Sequence, residues 1–210
     1  MSDLEREPAS AALVFGERLD LARQFTRNLA EQGEIRGLIG PLEVPRLWTR
    51  HILNSAVVAP LFSPGRVGDI GSGAGLPGLV GAIVRPDVTW VLIEPMERRT
   101  AWLQEQTDEL GLTNVEVVRG RGEEWSEGPV LDAVTARAVS ALRTLLPLTA
   151  PLVRDGGELI LMKGISAEAE IEKAAKQIRA QRLTDVRVEV VGSGVVEEPT
   201  RVVRATVRRS

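Results

Sequence analysis

Residues 67–78 read VGDIGSGAGLPG: a short apolar run ending in Asp69, then glycines at 71, 73 and 75. Glycine accepts φ > 0 and lets backbone come close to a ligand that a Cβ would keep out. Pro77 stands where a helix should begin, a place where its missing N–H is no loss. A second acid, Glu94, closes the apolar run 90–93. In a doubly wound α/β sheet that is the position of a carboxylate that takes ribose hydroxyls. A glycine loop with such an acid on the next strand is chemistry for an adenosyl ligand.

Residues 73–78 also match G-x-G-x-x-G, the dinucleotide fingerprint, and a lone match of that kind is weak. Its register argues against NAD(P). The glycine directly after the strand is Gly71, and counting from it the third glycine of the fingerprint is replaced by Leu76. The pattern D-x-G-x-G-x-G, begun by Asp69, fits S-adenosylmethionine better, because that ligand has no pyrophosphate to cradle. A turn that merely joins strand to helix, a solvated acid at 94 and an NAD(P) oxidoreductase are the alternatives. After the next predicted strand, the backbone of Gly122 and Glu123 is expected to read the adenine edge.

The elements that must position these residues follow from periodicity. From residue 66 onward strands and helices alternate, with strands at 67–70, 90–93, 115–119, 133–136 and 158–162. Helices are predicted at 77–84, 97–110, 141–152 and 167–181. This alternation predicts a parallel sheet with helices on both faces. The runs 186–191 and 202–207 have no helix between them and should pair antiparallel. Ahead of this core, 10–31 and 46–59 read as amphipathic helices. The expected architecture is α/β: a Rossmann-like, mostly parallel seven-stranded sheet of the Class I S-adenosylmethionine-dependent methyltransferase type, with an N-terminal helical extension over 1–62 and a core over 63–210. Fold of this kind does not by itself give function.

Composition sets limits. The chain has 210 residues, no cysteine and one histidine, His51. That excludes disulfides, thiolate chemistry and a histidine-rich metal site, so no metal is expected. No apolar run is long enough to span a membrane. The first ten residues are acidic and lack a secretory h-region, so a cytoplasmic location is expected. The net charge is −3. Nucleic-acid binding would therefore rest on local clusters rather than on the global field. Arg46 with Arg50, Arg98 with Arg99, and Arg204 with Arg208 are such clusters, or simply solvated faces.

Several segments resemble one family, the RsmG/GidB group of bacterial 16S ribosomal RNA (guanine-N7) methyltransferases. They are RHILNSAVVAP at 50–60, DIGSGAGLPG at 69–78 with IVRP at 83–86, ARAVSAL at 136–142 and LMKG at 161–164. The resemblance implies S-adenosyl-L-methionine as cofactor. It also implies methylation at N7 of a guanine in the 530 loop, position 527, of 16S rRNA by a cytoplasmic monomer. It puts the cofactor on Gly71, Leu76, Gly122, Glu123 and Arg137, beside Gly73 and Glu94 from the loop reading. His51, Arg137 and Lys163 become candidates at the RNA face. The chain lacks the family's Asn-Leu-Thr triplet and reads RGLIGPLEVPRLW over 36–48, so no RNA contact is carried over to that stretch.

Guanine N7 has an in-plane lone pair and no proton to lose, so transfer to it needs no general base. Orientation alone can supply about 7–11 kcal/mol. Two rivals share the cofactor reading: a small-molecule methyltransferase, and a non-catalytic S-adenosylmethionine-binding module for ribosome assembly or sensing. Four Trp, three Phe and no Tyr give the first of these few walls for a deep aromatic pocket.

Overall fold

The computed structural model describes residues 3–127, 130–137 and 140–209, without the side chains of Glu123, Ser126 and Glu127. Seven strands form one sheet: β1 Arg66–Ile70, β2 Thr89–Glu94, β3 Val115–Arg119, β4 Leu131–Arg137, β5 Val153–Lys163, β6 Leu183–Val191 and β7 Thr200–Val207. Their order is β3-β2-β1-β4-β5-β7-β6. The first five are mutually parallel, and β7 runs antiparallel to both β5 and β6. The expected antiparallel pair is present, with β7 inserted between β5 and β6.

Alternation along the strands divides the core in two. In β2, Trp90 and Leu92 face one cluster while Val91 and Ile93 face the other. In β5, Ile160 and Met162 oppose Leu159 and Leu161. The first face is covered by α1 Ser10–Phe15, α2 Leu19–Gln32, α4 Gly78–Val84 and α5 Glu97–Glu109. The second is covered by α6 Leu142–Thr149, α7 Ala167–Lys173 and α8 Ala175–Ala180. Phe15, Phe25 and Leu29 of the N-terminal helices share one apolar cluster with Trp90 and Trp102, so the extension joins the core, α1 and α2 packing on α4 and Phe25 on Trp102 of α5.

Three helices differ from their periodicity. The predicted helix 10–31 is interrupted by a 3-10 turn at Gly16–Arg18, where Gly16 takes φ 50°. The predicted helix 167–181 is two short helices meeting at Ala174. The predicted helix 46–59 departs most. It consists of a 3-10 turn Val44–Arg46, a π-turn Trp48–Leu53, the short α3 Asn54–Ala56 and a 3-10 turn Ala59–Leu61. The inward residues are still Trp48, Ile52, Ala56 and Ala59. What changes is the backbone ladder, into which Arg137 of β4 donates at two carbonyls. Helix α4 begins at Gly78, one residue after Pro77. Strand β5 starts at Val153, earlier than its apolar run.

Candidate active site

The loop after β1 is held from three sides. Gly71 N–H donates to the Ile93 carbonyl at 2.8 Å, tying the loop to β2. Trp102 Nε1–H, from α5, donates to the Ala74 carbonyl at 3.0 Å. Asp69 is fully buried, and its Oδ2 accepts the Gly78 N–H at 2.9 Å, capping α4 from within the sheet. Gly78 itself has no room for a side chain: a Cβ there would collide with Leu92 and with Asp69 Oδ2. Gly71, Gly73 and Gly75 all adopt positive φ.

Glu94 is 2% exposed and lies across the loop. Its Oε2 accepts the Gly73 N–H and its Oε1 accepts the Met96 N–H, each at 3.0 Å. Both carboxylate oxygens are thereby fixed, and each keeps a further lone pair for a ligand donor. A cleft of about 560 Å³ opens above them, lined by Gly71, Ser72, Gly73, Leu76, Glu94 and Arg137 among others. Leu38, Ile39 and Gly40, from the turn after α2, close its other side.

A second, larger cleft of about 990 Å³ lies on the other side of Arg137. Its cations are Arg50, Lys163 and Arg201, and its rim carries Glu197 and Glu198. Lys163 is committed internally. Its Nζ donates to the Ser140 carbonyl at 2.6 Å and pairs with Glu170 at 3.0 Å. Arg201 makes no ion pair among the described residues.

Arg137 joins the two clefts. Its NH1 donates to the His51 carbonyl at 3.3 Å and to Ser55 Oγ at 3.1 Å. Its NH2 donates to the Arg50 carbonyl at 3.2 Å and meets His51 Nδ1 at 2.6 Å. A guanidinium inserted into a helical ladder in this way opens the turn. Here it claims carbonyls of the Trp48–Leu53 segment, which is wound as a π-turn. Burial first, then repulsion from Arg50, lowers the Arg137 pKa to about 10, so it remains a cation at neutral pH.

His51 is held on its other edge by Glu43, whose Oε2 lies 2.5 Å from Nε2. Burial first, then the nearby Arg137 charge, pushes the imidazole below its usual pKa, against the pull of Glu43. Asp69 is shifted the other way. Burial raises its pKa to about 7, although the Gly78 N–H favours the carboxylate. Its Oδ1 is buried and has no hydrogen-bond partner among the described residues.

Of the residues singled out in the sequence, Gly71, Gly73, Leu76, Glu94 and Arg137 come together around the smaller cleft, with His51 at its edge. Lys163 lies in the larger one. Gly122 is not in either lining; it is buried, and a Cβ there would meet Ile70. The Glu123 side chain, and residues 138 and 139 of the ARAVSAL stretch, lie outside the described residues. The expected basic clusters are largely neutralised: Arg46 pairs with Glu43, and Arg204 with both Glu158 and Glu189. Glu43, Ser55, Ser72 and Met96 are site residues that periodicity did not reveal. Among the described residues no cluster of three His, Asp or Glu could hold a metal.

The family model described as GidB, rRNA small subunit methyltransferase G, matches residues 18–198. The chain belongs to this family. A Ribosomal RNA small subunit methyltransferase G from Leifsonia xyli is 67% identical over 98% of both chains. One of the same name from Corynebacterium glutamicum is 48% identical over 93% of this chain and 90% of its own. Among solved structures, M. jannaschii TYW2 in complex with AdoMet superposes with a TM-score of 0.60 at 18% identity, covering 78% of each chain. Precorrin-6y C5,15-methyltransferase from Geobacter metallireducens gives 0.55 at 16% identity, over 80% of this chain and 90% of that one. These two share the fold, and the fold of the family is that of the Class I methyltransferases.

Proposed function

We propose that this member of the family methylates N7 of a guanine in the 530 loop of 16S rRNA, position 527, using S-adenosyl-L-methionine. Membership makes it an S-adenosylmethionine-dependent rRNA methyltransferase; the base and the atom are the further step. The observation that carries the reading is the meeting of two clefts at Arg137, one built like a nucleoside site and one large and partly cationic.

The smaller cleft fits the cofactor. A Cβ on Gly73 would meet nothing nearer than the Gly71 carbonyl at 3.7 Å, so the absent side chain leaves a cradle above the loop. Glu94 offers two fixed acceptor oxygens to a ribose diol. Leu76 and Met96 supply apolar wall. When bound, S-adenosylmethionine supplies an electrophilic methyl group carried on a sulfonium.

The protein's own part is orientation and exclusion of water. Both ring nitrogens of His51 are engaged, so the one imidazole in the chain is not a free base. That suits an acceptor nitrogen with a lone pair and no proton to remove. Arg50 and Arg201 are placed to hold phosphates of a strand entering the larger cleft. The target would be a single-stranded loop, the element of RNA that proteins read most readily. The reading includes a monomer acting in the cytoplasm on the small subunit or its rRNA.

Labelled S-adenosylmethionine should transfer methyl to 30S subunits or free 16S rRNA lacking the modification, with the label at N7 of one 530-loop guanine. Label on another base would move the site. Cofactor binding with no label in either RNA would favour the small-molecule enzyme or the assembly module.

A further inference from the structure

Arg137 is the one side chain, among the described residues, that lines both clefts. Whatever passes between them passes it. The placement of its guanidinium therefore matters more than that of a cation on either rim.

Arginine has donors only, so the 2.6 Å contact with His51 Nδ1 requires a lone pair on that nitrogen. The 2.5 Å contact between Nε2 and the Glu43 carboxylate then requires the proton on Nε2. Geometry alone thus fixes the tautomer. A doubly protonated ring would turn an N–H against the guanidinium and lose the contact. Arg137 faces His51 from β4, Glu43 from the turn ahead of it and Arg50 from its own segment. Glu43 is itself steadied by Arg46 at 2.7 Å, with Arg50 at 3.6 Å.

We infer that His51 is a positioning residue for methyl transfer: a neutral imidazole, protonated on Nε2, that bridges Glu43 to Arg137 and fixes the guanidinium at the seam of the two clefts. This rests on reading those clefts as cofactor and acceptor sites. Glu43 acts one step further out. Neither residue exchanges a proton with substrate.

His51 is the only histidine, so one imidazole ring appears in long-range proton–nitrogen spectra of the whole protein. The expected pattern at pH 8 is an unprotonated Nδ1 and a protonated Nε2, with imidazolium prevailing only below about pH 6.5. A proton on Nδ1, or imidazolium forming above pH 6.5, overturns the bridge without reference to any substrate. In the transfer assay, His51→Ala is expected to lower kcat about tenfold to a hundredfold, with KM for S-adenosylmethionine within about twofold, as displacement of a group at a reacting site does. His51→Gln keeps an acceptor and a donor and should recover part of the loss. Glu43→Gln removes the charge that favours imidazolium, so the acid limb of the kcat profile should move to lower pH. Wild-type kcat in folded His51→Ala, with only Tm lowered, makes the residue structural and overturns the inference. Failure of the wild type to methylate either RNA refutes the substrate reading instead, and the tautomer still decides the bridge.

Discussion

The glycine-loop corner and the Arg137 seam face each other across the same cleft, but they are built differently. At the corner, residues 69–78 and 94 come from two adjacent parallel strands and the turn between one of them and its helix. Apart from the Trp102 indole on the Ala74 carbonyl, the key bonds there join backbone to a strand-end acid or carbonyl. At the seam, a guanidinium reaches across 82–87 positions of chain to take two carbonyls, a hydroxyl and an imidazole. The corner is a product of local sequence. The seam exists only once the extension has docked. A site can thus combine a rigid cofactor platform with a neighbouring wall whose shape depends on long-range packing.

The sharpest way to break this contrast is at Glu94. Glu94→Ala removes the acceptor proposed for the ribose and should weaken S-adenosylmethionine by roughly a hundredfold, about 3 kcal/mol for charged hydrogen bonds. Calorimetric titration checks it, and near-wild-type affinity would place the cofactor elsewhere. Gly81→Ala probes the platform from behind. A Cβ there would collide with the Trp90 ring, and overpacking costs typically 1–3 kcal/mol. For a chain of this size that lowers Tm by roughly 2–12 °C. Arg137→Lys tests the seam, since a rotating ammonium cannot reproduce a planar fork with four acceptors. We expect about tenfold slower transfer and faster amide exchange confined to residues 50–56, with the glycine loop undisturbed. Exchange spreading into α4 would show that the two regions are one unit.

The two regions should also differ in pH response. Burial raises the Asp69 pKa to about 7 in the folded chain, and Asp69→Asn should flatten the part of the stability profile that follows from it. The same raised pKa means that Asp69's contribution to stability declines as pH rises from about 4 towards 7. His51 acts oppositely: depressed in the folded chain, it draws stability down as pH falls below about 6.5. The smallest effects are expected from arginines. Arg204→Gln, with its two carboxylate partners, should change stability by about 1 kcal/mol or less. It should also leave the salt dependence of RNA binding alone, whereas Arg201→Gln should reduce that slope by about one.

Much of the corner is legible in the residues. Asp69, the alternating glycines and Glu94 specify strand, loop and strand end in order, because all of them fall within one strand–helix–strand unit. The seven strands are legible for the same reason, since β-branched runs mark a half-buried pleated surface. The Trp48–Leu53 π-turn is not, because the competitor for its carbonyls is Arg137, on another element. The role of Glu43 is hidden likewise: it sits eight residues from His51 in a stretch with no periodicity, and only the fold brings them to 2.5 Å. The basic clusters mislead in the other direction. Arg46 and Arg204 look like free cations until their carboxylates arrive from neighbouring turns and strands.

Strand β7 is translated after β6 yet lies between β6 and β5. A nascent chain therefore extrudes β6 before β7, its partner among the described residues, exists. Until residue 207 has left the exit tunnel, β5 offers an uncovered edge of the kind that recruits stray strands. Closure of this sheet waits for β7, and its timing belongs to that strand rather than to the glycine loop made before it.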